Sequence, residues 1–441
     1  MSEKLLSLGL DVGTTSTQMV LSELTIENLA GSFAVPEMEI QERKILYKSP
    51  VYFTPLIRGE LVDGEKIREI VDKEYEKAGI PKEEVDTGAI IITGETSRKE
   101  NARSVLEALA QYAGDFVVAT AGPDLESVLA AKGAGAVDFS ARTGKRVLHM
   151  DIGGGTSNLA FIENGKIIAT TCLNVGGRLV KMDREGRILY VSSVLEGLFH
   201  KRIGEVAHRG EMEELAEKLV QALEMVGGLR EKTELFEKLR TKEAEGQWPE
   251  MLEGTVISFS GGVADCIEAE KSWLEFGDIG PELGKAIRKS RLCQGEYMLG
   301  SETIRATVIG AGCHSTQLSG STVFYQNVSF PLKNLPVVES VEAMKSLDGP
   351  GVLVVAGEAL DFAGIRDLAK DMTNAVRSPV YVAASGDMAK ALGVQIALRL
   401  GEKAEILCID RVRLKEGDYL DVGAPVGAAL PVVVKTLILS Q

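Results

Sequence analysis

Positive charge is what this chain lacks: 49 Lys and Arg stand against 64 Asp and Glu, leaving −15 over 441 residues. That balance excludes a general nucleic-acid or anionic-membrane surface, which needs a Lys and Arg excess. Cysteine is sparse and scattered. Cys172, Cys266, Cys293, Cys313 and Cys408 form no CxxC pair and are odd in number, which excludes a readable disulfide framework or cysteine zinc site. Buried, reduced thiols are expected. The four histidines (His149, His200, His208, His314) show no HExxH spacing, so a metal centre built from protein ligands alone is not expected. No apolar run approaches the roughly 20 residues of a membrane span. Met1-Ser2-Glu3-Lys4 leads straight into an apolar strand with no basic n-region, so a secretory signal is not expected and a cytoplasmic location is.

What the chain does have is a repeat. Asp11-Val12-Gly13-Thr14-Thr15-Ser16-Thr17 and Asp151-Ile152-Gly153-Gly154-Gly155-Thr156-Ser157-Asn158 are near copies, 140 residues apart. Each follows an apolar strand (Leu5–Leu10, Val147–Met150) and runs into another (Gln18–Leu21, Leu159–Ile162). Each is therefore expected to be a hairpin whose tip exposes backbone N–H groups able to cradle phosphate oxygens. Two such hairpins facing each other would clamp the two ends of a triphosphate.

Around them, strand and helix patterns alternate, which indicates α/β architecture. Apolar residues Ile67, Ile70, Val71, Tyr75 and Ala78 fall at helical spacing over 64–79. Strand Gly88–Ile92 leads to Thr93-Gly94-Glu95-Thr96, then a helix over Ser97–Ala113 and a strand over Phe116–Ala119. Residues 121–137 read as one helix of small residues, and Ala306–Gly312 as another; both are expected at a hinge between lobes, where bulky replacements at Ala134 and Gly310 would wedge it. Residues 205–245 read as a polar helical insert with Met212, Leu215, Leu219, Leu223 and Val226 on its buried stripe, broken at Gly227-Gly228. Val256–Asp265 is a strand ending in Gly261-Gly262. From about 331 another α/β run is expected: strand Val352–Ala356, helix 360–373, strand Val380–Ala383, helix 386–400 and strand Ile406–Ile409, leading to a hairpin turned at Glu416-Gly417-Asp418.

Phosphoryl chemistry asks for positioning and charge stabilisation more than for a reactive side chain. Gly13, Thr14 and Thr15 would hold one phosphate; Gly153, Gly154, Gly155 and Thr156 would hold another. Asp11 and Asp151 end their strands at the metal, and Mg²⁺ keeps several waters, so both are expected to act through water, with Asp151 or a nearby carboxylate orienting the attacking water. Gly261 and Gly262 would let adenine and ribose lie against the backbone. Glu95, Asp124 and Glu126 are weaker metal candidates: Glu95 equally suits a helix cap, and Asp124 and Glu126 a helix dipole.

The two hairpins and Ser260-Gly261-Gly262-Val263-Ala264-Asp265 resemble the phosphate-1, phosphate-2 and adenosine motifs of the superfamily of actin, the 70-kDa heat-shock chaperones and sugar kinases, over roughly residues 5–325. Within it, the stretches Leu8–Gln18, Ile92–Ala102, Ala121–Ser127, His149–Asn158 and Cys408–Gly423 resemble the reactivating factors of ethanolamine ammonia-lyase. The resemblance implies a two-lobed actin-like ATPase fold, with lobes over 1–140 and 141–325, and an additional C-terminal α/β region over 326–441. It implies an ATP- and Mg²⁺-dependent, chaperone-like factor that releases damaged cobalamin from the lyase so that intact adenosylcobalamin can bind. The lyase with its cobalamin is the implied partner, and no nucleic acid or membrane is expected. A homodimer and association with a bacterial microcompartment are compatible with it. A small-molecule kinase of the same fold and an actin-like filament or scaffold ATPase are the alternatives. One departure stands out: Ser16, Thr17 and Gln18 occupy the place where many superfamily members carry a lysine after the first loop, which implies slow hydrolysis.

Overall fold

The expected first hairpin is formed by β1 (Glu3–Val12) and β2 (Ser16–Asn28), antiparallel, with Asp11 opposite Gln18 and Val12 opposite Thr17. The structure is a computed structural model, and it describes all residues except 1–2, 14–15, 30–37, 58–60, 94–116, 121–122, 242–247, 251–253, 315, 320–321, 348, 356–359, 377, 413, 415, 417, 426–428 and 437–441. Glu95 and the helix expected over Ser97–Ala113 lie outside the described residues, as do Thr14 and Thr15.

Beyond β2 the sheet continues with antiparallel β3 (Met38–Lys48), and β4 (Tyr52–Phe53) pairs with the start of β2. A small hairpin of β5 (Leu56–Ile57) and β6 (Leu61–Val62) precedes the helix Gly64–Ala78. That helix starts where Asp63 accepts from the Lys66 N–H and ends at left-handed Gly79, and Ile67, Val71 and Tyr75 are buried on one face. β7 (Thr87–Ile92) lies parallel to β1, and β8 (Val117–Thr120) parallel to β7. The order is β3-β2-β1-β7-β8.

The second half repeats this order. β9 (Val147–Ile152), β10 (Ser157–Glu163) and β11 (Lys166–Leu173) form the antiparallel part. A small hairpin of β12 (Val180–Met182) and β13 (Ile188–Val191) follows and shares its core. β14 (Val256–Ser260) and β15 (Tyr297–Leu299) add in parallel, giving β11-β10-β9-β14-β15. Two sheets of one topology, each opening on a glycine-rich hairpin, agree with the two-lobed actin-like fold that the resemblance implies. The insert is helical over Arg209–Val226 and Glu234–Leu239, and Met212, Leu215, Leu219, Leu223 and Val226 are all buried. A fully buried leucine or valine contributes about 1.5–3 kcal/mol relative to exposure, so this stripe fixes the insert to its sheet.

The small-residue stretch after β8 is two helices, Pro123–Gly133 and Ala136–Thr143, rather than one, because Gly135 adopts φ +79° between them. Leu129 packs with Ala89, Ile91 and Ala311, while Ala131 and Ala136 sit under Val147 and Ala160 of the second sheet. The later helix, Ala306–His314, packs Val308, Ile309 and Cys313 against Val20 of the first sheet. Each helix thus crosses towards the other half, and they meet where neither has a side chain. A Cβ on Gly310 would lie 2.0 Å from the Leu129 carbonyl oxygen, and one on Gly133 would lie 1.8 Å from that of Ala306.

A third sheet follows: β16 (Thr316–Leu318), β17 (Phe324–Gln326), β18 (Leu332–Val338), β19 (Val352–Val355), β20 (Val380–Ala384), β21 (Ile406–Asp410), β22 (Asp418–Val422) and β23 (Pro431–Thr436). Its order is β16-β23-β22-β18-β19-β20-β21-β17, and it starts upstream of 326. β18 through β21 run parallel, and helices Phe362–Ala375 and Ala389–Leu400 share a core with them. The expected hairpin is displaced: Asp418 begins β22, which pairs with β23, so the turn lies between 422 and 431 rather than at 416–418.

Because carbonyl oxygen, not a movable side chain, faces Gly310, the space for a wedge is absent. Gly310→Ala is expected to cost about 1–3 kcal/mol or more, read as a lower thermal midpoint. An unchanged midpoint would show that the crossing relaxes freely.

Candidate functional site

Asp11 and Asp151 occupy equivalent places in the two sheets, at the carboxyl ends of β1 and β9. Both are nearly inaccessible, at 8% and 5% exposure. Burial pushes the Asp11 carboxyl up to about 7; the Thr93 hydroxyl, donating to its Oδ1 at 2.9 Å, opposes the rise, and the Asp151 charge adds to it. The Asp151 charge acts on Asp11, so the two strand ends carry their carboxyls towards each other. Burial lifts Asp151 to about 6, against a hydrogen bond from Ser260.

Parallel pairing sets Ser258 beside His149 and Ser260 beside Asp151. His149 Nδ1 lies 3.0 Å from the Ser258 hydroxyl and Nε2 lies 3.0 Å from that of Ser260, which donates to Asp151 Oδ1 at 2.5 Å. Burial holds His149 neutral, its pKa pushed down to about 3. With one hydrogen per group, Ser260 donating to Asp151 must accept from Nε2–H, leaving Nδ1 to accept from Ser258. The chain fixes both the tautomer of His149 and the orientation of Asp151. No motif signals it, because only strand register brings 149, 151, 258 and 260 level.

The two loops close in the same way. Gly13 N–H donates to the Ser16 carbonyl at 2.8 Å, and Gly153 N–H to the Thr156 carbonyl at 3.0 Å. These two N–H groups are therefore spent inside the turns, which removes them from the expected phosphate cradle. The N–H groups of Gly154, Gly155 and Thr156 have no hydrogen-bond partner among the described residues. Thr54 donates to the Gly13 carbonyl at 2.7 Å and sits 3.1 Å from the Thr17 hydroxyl, bracing the first loop from behind.

Cross-strand amides face the carboxyls: Gln18 is opposite Asp11, and Asn158 is opposite Asp151. Gln18 Nε2 donates to the Ile304 carbonyl at 3.1 Å. Gln18 Oε1 and Asn158 Oδ1 are buried without a hydrogen-bond partner. Buried acceptors normally find a donor.

Gly261 has a reason of its own. At φ +84° its Cβ would fall 2.3 Å from the Ile152 carbonyl oxygen, so glycine here seats the β14 turn against the second loop. Gly262 faces open space, with Ile304 the nearest neighbour at 3.9 Å. Asp124 accepts from the Thr170 hydroxyl on β11, which ties its helix to the edge of the second sheet. Glu126 lies in the first turn of that helix. Among the described residues no group of three or more His, Cys, Asp or Glu converges to hold a metal by itself, and no helix is long and apolar enough to cross a membrane.

The family described as Ethanolamine utilisation protein EutA matches residues 3–360 and 350–440. The chain belongs to this family. It is 37% identical over 475 aligned residues to a Salmonella typhimurium protein named ethanolamine ammonia-lyase reactivase EutA, and 36% identical over 466 to its Escherichia coli namesake, with 99% of each chain covered in both cases. A solved Aquifex aeolicus PPX-GPPA enzyme shows 12% identity and a TM-score of 0.42, covering 70% of this chain and 99% of its own.

The perturbed carboxyl gives a pH signature. A group raised from 3.8 to about 7 keeps a proton in the folded chain that the unfolded chain releases, so Asp11 makes stability fall as pH rises through that window. His149, lowered from 6.5 to about 3, acts in the opposite direction. Asp11→Asn removes only the first effect. The variant, free of nucleotide, should therefore gain thermal stability relative to wild type as pH climbs from 3.8 to about 7; parallel curves would show that Asp11 is not desolvated.

Proposed function

We propose that this member of the EutA family is an ATP-dependent reactivating factor: it binds Mg-ATP between its two hairpins and uses it to release damaged cobalamin from ethanolamine ammonia-lyase, so that intact adenosylcobalamin can bind. The observation that carries the reading is the duplicated site, with equivalent buried aspartates at the ends of matching strands, joined to full-length likeness to two proteins named reactivases. Residues 1–140 and 141–325 are assigned to the lobes that hold the nucleotide and 326–441 to the C-terminal region. The place of action is that of the lyase, in the cytoplasm or at a bacterial microcompartment.

The residues fit a hydrated magnesium ion. Asp11 and Asp151 supply carboxylate oxygens, and the unpartnered Gln18 Oε1 and Asn158 Oδ1 supply neutral acceptors directly across the strands, a set that suits donors on metal-bound water. When bound, the ion would neutralise charge on the β- and γ-phosphates. The chain's own part is positional. The N–H groups of Gly154, Gly155 and Thr156 donate to phosphate oxygens, and the His149–Ser260 chain aims Asp151 at the cleft, where a carboxylate also orients the attacking water. Gly262 leaves room beside Ile304 for the nucleoside.

The test is to incubate cyanocobalamin-blocked ethanolamine ammonia-lyase with this protein, Mg²⁺ and ATP. Lyase activity on added adenosylcobalamin should return, with release of free phosphate. Phosphorylated metabolite or sedimenting polymer in place of reactivation would favour a kinase or a filament. Asp151→Ala should lower phosphate release on the order of 100-fold or more; unchanged release would remove Asp151 from the site.

A further inference from the structure

We propose that Arg178, which no phosphate-loop motif contains, is a phosphate-binding residue of the nucleotide site and supplies the cation that the first hairpin does not. The inference rests on the Mg-ATP reading above and deepens it.

Arg178 is built onto the second loop. Its N–H donates to the Gly154 carbonyl at 2.6 Å, and Gly177 N–H donates to that of Gly153 at 2.9 Å. The aliphatic stem then runs along the loop, with Cβ and Cδ each 3.5 Å from where a Gly154 Cβ would stand. Substitution at Gly154 therefore meets this stem first, not an empty cleft.

From there the side chain reaches towards the first loop. Its guanidinium carbon lies 5.8 Å from the centre of the Phe53 ring, and Phe53 pairs directly with Ser16 at the exit of that loop. Strand β4 is held in place on both sides: the Tyr52 hydroxyl donates to buried Glu74 at 2.5 Å, and Thr54 donates to the Gly13 carbonyl. Phe53 itself is 79% exposed, so it serves no core. A cation anchored on one loop and resting on a ring fixed to the other spans the gap that the phosphates of a nucleotide would occupy.

The guanidinium is held by one ion pair and keeps donors to spare. Arg178 Nε lies 3.3 Å from Asp278 Oδ2, and the other oxygen of Asp278 accepts from Gly280 N–H at 2.8 Å. Only the Nε edge is engaged; the two Nη groups make no hydrogen bond among the described residues. A planar fork with free N–H donors suits two phosphate oxygens at once, which lysine's point charge does not. The first hairpin offers only hydroxyls and an amide at Ser16, Thr17 and Gln18.

The experiment titrates wild type, Arg178→Gln and Arg178→Lys with ATP, ADP and AMP in Mg²⁺, with a melting curve for each. The glutamine variant should stay folded and lose ATP affinity on the order of tenfold to a hundredfold, with a smaller loss for ADP and none for AMP. The lysine variant should recover part of the ATP affinity. Equal losses for all three nucleotides, or no loss in the folded glutamine variant, would overturn the role of Arg178 while leaving the nucleotide site intact. Failure of wild type to bind ATP would overturn the Mg-ATP reading, and this role with it.

Discussion

Backbone-to-backbone contact between two helices, at Gly133 against Ala306 and Gly310 against Leu129, is the constraint on which the rest of the molecule depends. Each helix follows one half of the repeat in sequence yet reaches the sheet of the other. The halves are thereby interlocked. Close approach without side chains also brings the flanking segments across. Gln18 bonds to Ile304 and the Arg305 guanidinium to the Ser49 carbonyl, so the second half grips the strands that carry the first loop.

That geometry brings two acids together at a cost. Asp11 and Asp151 are both desolvated, and each is compensated by a hydroxyl from a neighbouring parallel strand: Thr93 from the end of β7, Ser260 from the end of β14. The duplication thus extends past the loops to the groups that tune them. The halves diverge behind those hydroxyls, where only the second has a buried histidine, bridged between Ser258 and Ser260. A carboxyl whose ordinary charge is suppressed by burial is poised to ionise when a cation arrives, which makes such a pair suited to a metal-nucleotide site.

Much of the fold was legible because its signals are local. The hairpins show in Asp-x-Gly turns between apolar runs, and Ile67, Val71 and Tyr75 mark their helix by spacing alone. Residues 380–384 and 406–409 are continuous apolar runs, as buried parallel strands are. The failures have equally physical reasons. Residues 121–137 read as one helix because composition does not reveal that Gly135 turns left-handed. Residues 416–418 read as a hairpin turn because a Gly-Asp pair looks alike whether it links paired strands or leads into one. β18 was unmarked because Lys333, Asn334 and Pro336 interrupt its apolar pattern.

By itself the sequence determined the repeated loops, the two aspartates, the small-residue helices and the likeness to reactivating factors, since each is written in consecutive residues. Only the tertiary structure decided which loop N–H groups remain to meet a ligand, because Gly13 and Gly153 spend theirs on turn carbonyls three residues on. It also decided that His149, Ser258 and Ser260 serve Asp151, and that Arg178 stands between the loops. Those relations depend on strand register and on the crossing of chain segments far apart in sequence, and neither leaves a mark in the residues nearby.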